Sequence, residues 1–418
     1  MDERFKRRHR TEERYFTRKR ALTFPVMIML MLQKSVKGMQ LVLNEFFEKL
    51  KQHPVTSSAF TQARGHLRHT AFIELNQKAV LDICYGDGDY KRYKGMRLLA
   101  IDGSRIHLPD TPAIREVFGT VDHQPGGGHP QPLALASVVY DGLNRVALDA
   151  RLVKSGTYEV DVAFEQLALL EADDLLVFDR NYADYALLAW LLQHEHHFVG
   201  RYRNTSNPTV KAMFAGHGPD SQVITLKASR KVRRKVQALG LPTQITVRLV
   251  RVRLPNGEME VLVTSFLDSG EFPVAELGEL YPWRWKEETF YGVLKGRLAL
   301  ENFTGQSVEA VQQDFYATVF ITGLESFFIE SAQRQLSERA SENQYPQQVN
   351  KSVSFNAIKN HVLDLFFYEN DENVILEQLT ALFMMKPTLV RAGRVVPRHK
   401  SPARRLLAFQ RQRKKITF

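Results

Sequence analysis

The chain has 418 residues, 44% of them apolar and 25% charged, which is enough material for a buried core and length for two or three structural units. Its net charge of +11 comes from three segments: residues 1–20 hold nine Lys or Arg against four Asp or Glu, residues 201–253 hold twelve against Asp220 alone, residues 391–418 hold ten against none, and the remainder is acidic. Cys84, the sole cysteine, excludes an intramolecular disulfide and a cysteine-based zinc site, and the longest apolar run, Phe24 to Leu32, is interrupted by Pro25 and falls short of the roughly 20 residues a membrane span needs.

Basic charge gathered this way suits a polyanion-binding surface, with solvated tails and loops as the alternative. No small-residue cleavage site follows the basic start, so the protein is expected in the cytoplasm and away from membranes.

The first ninety residues read as helical. Leu41, Leu43, Phe46, Phe47 and Leu50 form a helix-period apolar stripe, and Ser57 or Ser58 can cap the next segment. That segment, Ser58-Ala-Phe-Thr-Gln-Ala-Arg-Gly-His-Leu67, with polar Gln62 and Arg64 among small residues, fits either a groove-reading helix or an ordinary packing helix.

From Met96 the character changes to strands: Arg97 to Asp102, Leu133 to Tyr140, a turn at Asp141-Gly142, and Val146 to Leu152. A helix follows from Tyr158 to Leu170, then the strand Leu175-Leu-Val-Phe-Asp179, a helix from Tyr182 to His194, and the strand Phe198 to Tyr202. The order β-β-β-α-β-α-β resembles the ribonuclease-H-like fold, an α/β class. Gly126-Gly127-Gly128 lies between strands and lacks the strand-to-helix setting of a phosphate loop.

Residues 204–270 read as a basic β insertion, with strands at Val223 to Leu226, Ile245 to Leu254 and Val261 to Thr264 and a turn at Asn256-Gly257. Helix returns from Glu276 to Leu298 and from Val308 to Leu336, and the last thirty residues are rich in Arg and Pro, as poorly ordered tails are. The expected organisation is a helical DNA-binding region at 1–90, a ribonuclease-H-like catalytic core at 91–203 and 271–336, the insertion at 204–270, and a helical, basic C-terminal region at 337–418.

Asp102 and Asp179 each end an apolar strand, which places a carboxylate at the sheet's carboxyl edge, where open α/β sheets bind ligands. Two such groups on neighbouring strands could hold a hard cation such as Mg²⁺ through oxygen; each taken singly also suits a turn or cap. In Tyr281-Pro-Trp-Arg284-Trp-Lys-Glu-Glu288-Thr-Phe-Tyr-Gly-Val-Leu-Lys295, the four polar positions fall at roughly 0°, 300°, 340° and 320° of a regular helix, one narrow face. Phe290, Val293, Leu294 and Leu298 take the opposite side. Glu288 suits a metal, Arg284 and Lys295 suit phosphodiester oxygens, and Tyr281 supplies a hydroxyl; an exposed Arg284–Glu288 ion pair is the plainer reading.

The spacing Tyr-x2-Arg-x3-Glu-x6-Lys at 281–295 resembles the Tyr-Arg-Glu-Lys motif of a large family of bacterial insertion-sequence DDE transposases. Asp102-Gly103-Ser104 and Asp179-Arg180-Asn181-Tyr182 are similar to that family's two aspartate blocks, and Phe16-Thr-Arg-Lys-Arg near the start adds to the likeness. The resemblance implies that Asp102, Asp179 and Glu288 are catalytic ligands of two Mg²⁺ or Mn²⁺ ions, and that Tyr281, Arg284 and Lys295 contact element-end DNA. It also implies cleavage of double-stranded DNA at terminal inverted repeats, transfer of the 3′-hydroxyl ends to target DNA, and a homodimer on DNA. A structure-selective nuclease on the same scaffold, or a silent DNA-binding regulator, are the other readings. Hairpin-forming members carry a tryptophan just before the strand matched by Val261 to Thr264, where this chain has Glu260.

The cluster His194-Glu195-His196-His197 lacks the i,i+4 spacing of a zinc-binding helix. Trp190, Trp283 and Trp285 read as packing residues, with Trp285 also placed to stack on a base.

Overall fold

A computed structural model of the chain describes residues 2–18, 20–33, 37–121, 130–204, 207–253, 257, 259–339, 345–366 and 372–390; the triple glycine at 126–128, Asn256 and the basic segment 391–418 lie outside them. The chain divides into two compact units, one formed by residues 1–83, 107–132 and 292–418, the other by 84–106 and 133–291.

The second unit is built on one mixed sheet. Its strands are β1 (Arg97–His107), β3 (Gln131–Asp141), β4 (Val146–Lys154), β5 (Asp174–Phe178), β6 (His197–Arg201), β7 (Ser221–Lys227), β8 (Gln244–Arg253) and β9 (Met259–Thr264); β2 (Thr120–Val121) belongs to the first unit. The order across the sheet is β4-β3-β1-β5-β6-β9-β8-β7, with β1, β5 and β6 parallel and the pairs β3·β4, β6·β9, β9·β8 and β8·β7 antiparallel. The first five positions are the ribonuclease-H-like arrangement that the element order led us to expect. The central strands are apolar on both faces because both are covered, as parallel strands require.

Side chains along these strands alternate between two cores. Leu99 and Ile101 of β1, Leu176 and Phe178 of β5 and Phe198 of β6 join Val160, Ala163, Leu187, Leu188 and Leu191 from the helices Glu159–Gln166 and Tyr185–Gln193. Leu98, Leu175, Val177, Val199 and Leu262 face the other way, against Leu277, Leu280 and Tyr281. At Gly200 the approach is so close that an added Cβ would stand 1.9 Å from the Phe178 ring, so only glycine lets that ring lie flat on the neighbouring strand.

The parallel β1·β5 pair begins at Arg97↔Asp174. These two side chains form a buried bidentate ion pair, Nε to Oδ1 at 2.6 Å and Nη2 to Oδ2 at 2.8 Å, with Arg97 4% and Asp174 0% exposed. Glu171 accepts from Arg97 Nη1 at 3.1 Å.

The strands expected in the insertion are present, and as β7, β8 and β9 they extend the same sheet past β6. The insertion also contains two helices that were read as strand or loop, Pro208–Phe214 and Arg230–Ala238. The second is amphipathic: Val236 is buried in the core beside the partly buried Val232, and Arg230, Lys231, Arg233 and Arg234 are exposed. Clustered like charges obscured its helix-period valines.

The first unit is helical. Phe24–Leu32, capped by Thr23, buries every residue except Pro25, so the apolar run is a core helix. Met39–Lys49 buries Val42, Leu43, Phe46 and Phe47 but leaves Leu41 38% exposed. Thr56, not Ser57 or Ser58, caps the helix Ser57–Arg64, accepting from Ala59 N at 3.1 Å. Arg64 is buried, with Nε on Gln313 Oε1, Nη1 on Thr304 Oγ1, and Nη2 on the Ala310 carbonyl and Asp314 Oδ1 at 2.6–2.8 Å. Its guanidinium therefore holds Ser57–Arg64 to the helix Val308–Phe328, as a packing residue does and a base-reading one does not. The helical stretch expected from Val308 to Leu336 breaks at Ile329 into Val308–Phe328 and Glu330–Glu338, and Lys351–Phe366 and Glu372–Met384 follow. Among the described residues no helix is long and apolar enough to cross a membrane.

Removing one partner of a buried ion pair strands the other. Arg97→Met is expected to cost about 3–5 kcal/mol, read as a lower urea midpoint, and Arg97→Met with Asp174→Leu should recover most of that loss. A single variant as stable as the parent would show that the pair does not hold the strands together.

Candidate active site

Asp102 lies five residues beyond Arg97 on β1, and Asp179 five beyond Asp174, directly after β5 ends. The register Ile101↔Phe178 makes them the next opposed residues, at the point where the two strands part. Asp102 continues the alternation of Leu98 and Ala100, and Asp179 that of Leu175 and Val177, on the sheet face covered by Val274–Leu280 and Tyr281. The sequence placed Asp102 at a strand end; β1 instead runs on to His107, and only its pairing with β5 stops at Ile101.

Backbone amides hold both carboxylates. Gly103 N donates to Asp102 Oδ1 at 2.8 Å, and Asn181 N donates to Asp179 Oδ1 at 2.6 Å. Burial pushes the Asp102 carboxyl up to about 7; the Gly103 bond draws it back, Asp179 repels it, Arg284 attracts it and Glu159 repels it again.

The segment expected to be one regular helix from Glu276 to Leu298 is four short pieces: an α-helix Val274–Leu280, a 3₁₀ turn Tyr281–Arg284, an α-helix Trp285–Gly292 and a π turn Val293–Arg297. Pro282 cannot donate a backbone bond, and the tighter turn around it rotates the later residues away from a uniform 100° step. The single stripe is therefore broken. Tyr281 is 2% exposed, its hydroxyl pushed up to about 12 by burial while Arg284 and Arg201 draw it back. Arg284 is 7% exposed, and its Nη1 donates to Glu288 Oε1 at 3.0 Å. Its guanidinium lies 5.9 Å from the Tyr281 ring and 5.5 Å from the Trp285 ring. Because it also attracts Asp102, a chain of alternating charge runs Asp102, Arg284, Glu288.

Tyr291 fastens this segment to the sheet, its hydroxyl 2.9 Å from the Ala136 carbonyl oxygen and 3.1 Å from that of Asp102, while Phe290 packs on Tyr140 with ring centroids 4.7 Å apart. The sequence reading missed Tyr291, whose only signal is a polar aromatic next to a buried one. Lys295 belongs to the first unit, where burial lowers its ammonium and Glu301 opposes the shift.

The structure thus brings Asp102 and Asp179 together and ties Glu288 to Arg284. Among the described residues no three Asp, Glu, His or Cys side chains are already drawn into one cation-sized group. The donors present are hard carboxylate oxygens, the ligand type that suits Mg²⁺ or Mn²⁺.

Two other features resolve simply. Glu260 is 1% exposed and ion-paired to Arg201. His194 and His196 stack on Trp190, and Trp285 is 37% exposed.

An acid held above its unfolded value of 3.8 makes the folded state bind its proton more tightly, so stability falls as pH rises from about 4 to about 7. Asp102→Asn removes that penalty. It is expected to melt higher than the parent at pH 8, by on the order of 1–3 kcal/mol, with the advantage fading toward pH 4; a less stable variant at pH 8 would contradict the burial argument.

Residues 93–324 match the family described as the Transposase DDE domain. Over 281 residues the chain is 26% identical to the transposase InsG for insertion sequence element IS4 of Escherichia coli (strain K12), an alignment covering 65% of this chain and 60% of that protein. The chain thus spans less than two thirds of the length of that curated relative. Among solved structures, the cryo-EM structure of a piggyBac transposase synaptic complex with hairpin DNA gives a TM-score of 0.43 at 10% identity, covering 85% of this chain and 74% of that one. With more than half of its length inside the family match, the chain belongs to the Transposase DDE domain family.

Proposed function

We propose that the protein is a transposase that binds the terminal inverted repeats of its insertion sequence, cleaves the DNA there and transfers the 3′-hydroxyl ends to target DNA. The observation that carries this reading is the register of β1 and β5, which aligns Asp102 with Asp179 at the sheet edge faced by Arg284 and Glu288. Asp102, Asp179 and Glu288 hold two divalent cations, Mg²⁺ or Mn²⁺, which when bound supply activation of the attacking oxygen and stabilisation of the leaving one. Release of Glu288 from Arg284 is what completes the triad, and it frees the guanidinium for a phosphodiester oxygen.

Lys295 contacts DNA from its own unit. Tyr281, which the motif also assigns to DNA, is buried here and backs the Arg284 guanidinium. The helical region 1–90 and the basic insertion 204–270 flank the catalytic residues 91–203 and 271–336 as DNA-binding parts, with 337–418 as a further basic region. A homodimer gives one site to each DNA end. The protein works in the cytoplasm, where that DNA is.

Incubating the full chain with labelled element ends and supercoiled target in Mg²⁺ tests the reading, and joined strand-transfer products are the expected result. Cleavage without joining would mark a structure-selective nuclease, and binding alone a silent regulator. Asp102→Asn, Asp179→Asn and Glu288→Gln should each lower cleavage on the order of 10²–10³-fold while DNA binding persists. Near-parental cleavage by any of the three would remove that residue from the assignment.

The logarithm of the affinity for element ends should fall linearly with the logarithm of salt concentration, with a slope of about 0.9 per phosphate contacted. Replacing Arg230, Lys231, Arg233 and Arg234 with Gln is expected to flatten that slope. An unchanged slope in a filter-binding titration would place the DNA elsewhere.

A further inference from the structure

A cavity of about 260 Å³ lies within the first unit, walled by the end of Phe24–Leu32, by Met39–Lys49, by the π turn Val293–Arg297 and by Lys351–Phe366. Among the described residues lining it, Lys37, Lys49, Arg297 and Lys359 are cationic and Glu45 alone is a carboxylate. Glu45 is already paired with Lys37 at 2.6 Å. Lys49 and Arg297 are anchored to the helix Lys351–Phe366: Lys49 Nζ donates to the Asn360 carbonyl at 2.9 Å, and Arg297 Nη1 donates to Ser352 Oγ at 3.0 Å. Arg297 uses only one of its several N–H donors in that bond.

Three further features separate this cavity from a merely solvated cluster of bases. Lys359 also borders a small void beside Leu32, Leu298 and Ile321, and burial lowers its ammonium to about 8. Gln33, on the cavity wall, has its Nε2 buried with no hydrogen-bond partner. Ala299, also on the wall, has φ +47, a left-handed conformation that a residue with a Cβ rarely adopts and that persists where its surroundings impose it. Basic side chains kept for solubility stand apart in water, where their repulsion is weak. Here like charges share one concave wall with an unmatched amide donor, and an anion entering it relieves both.

We propose that this cavity is a phosphate site, taking the terminal group of a phosphomonoester. It is smaller than the roughly 300–1,000 Å³ of pockets that enclose drug-sized molecules, so it suits a phosphoryl group and not a whole nucleotide. A phosphomonoester carries about two negative charges near neutral pH and accepts through several oxygens, which matches the excess of cations better than the single charge of a phosphodiester. Free phosphate and the 5′-phosphorylated end of a DNA strand share this chemistry. The site shares no residue with Asp102, Asp179 and Glu288, which belong to the other unit, and does not rest on their reading as cation ligands.

The test is titration of the full chain with inorganic phosphate at constant ionic strength, with chloride as the control, followed by calorimetry and by melting temperature. Saturable binding that raises the melting temperature is expected. Lys359→Met removes the charge and leaves an apolar side chain of similar length. It is expected to weaken phosphate binding about tenfold while melting no lower than the parent in the absence of phosphate. Parental affinity in Lys359→Met overturns the proposal, and so does a response to phosphate no greater than that to chloride. If Lys359→Met does not fold, Lys49→Gln combined with Arg297→Gln, both at exposed positions, carries the same comparison with the same two outcomes. Asp102→Asn should bind phosphate as the parent does, which keeps this test apart from that of the catalytic acids. Competition by short duplexes then identifies the source: a preference for the 5′-phosphorylated over the 5′-hydroxyl duplex that Lys359→Met abolishes supports a DNA end, and indifference to the 5′ group supports free phosphate.

Discussion

The buried pair Arg97 and Asp174 is the constraint on which the rest of the site depends. A slip of one residue between parallel strands would turn every side chain to the wrong face. Hydrophobic contact alone does little to prevent that here, because β1 and β5 carry runs of similar aliphatic residues on both faces. A guanidinium meeting a carboxylate through two parallel bonds has one geometry, and a wrong register would leave both charges buried and apart. The distance from this clamp to the carboxylate is the same along each strand, so the register set at one end of the sheet is delivered at the other as two opposed acids.

The site that results is strained electrostatically and braced mechanically. Asp102 carries more burial than its partners offset, and Arg284, itself buried between Tyr281 and Trp285, links it to Glu288. Tyr291 ties the segment bearing Arg284 and Glu288 to β1 and β3 through two backbone carbonyls. Rigid hydrogen bonding therefore surrounds acids that would otherwise move apart. Such an arrangement favours a preorganised charge site over stability.

What the sequence disclosed depended on how far each residue's role was set by its neighbours in the chain. β5 and the core of β1 were legible because a strand covered on both faces must be continuously apolar, and Asp102 and Asp179 stood out as the first charges after those runs. The Tyr-Arg-Glu-Lys spacing pointed to Arg284 and Glu288, but the even helical stripe drawn from it ignored the 3₁₀ turn at Pro282, and Tyr281 proved buried. Arg64 could not be sorted into base-reading or packing from its own segment, since its four partners lie some 240 residues away.

The insertion leaves the core along β6 and returns along β9, and these are hydrogen-bonded antiparallel neighbours. Departure and re-entry therefore stand side by side, as at the neck of a hairpin. Material between them can lengthen, shorten or change its own secondary structure while the doorway keeps its width, because closing a larger loop across a fixed gap adds little entropy. The segment hung from that doorway can therefore vary without disturbing the opposed acids on the neighbouring strands β5 and β1.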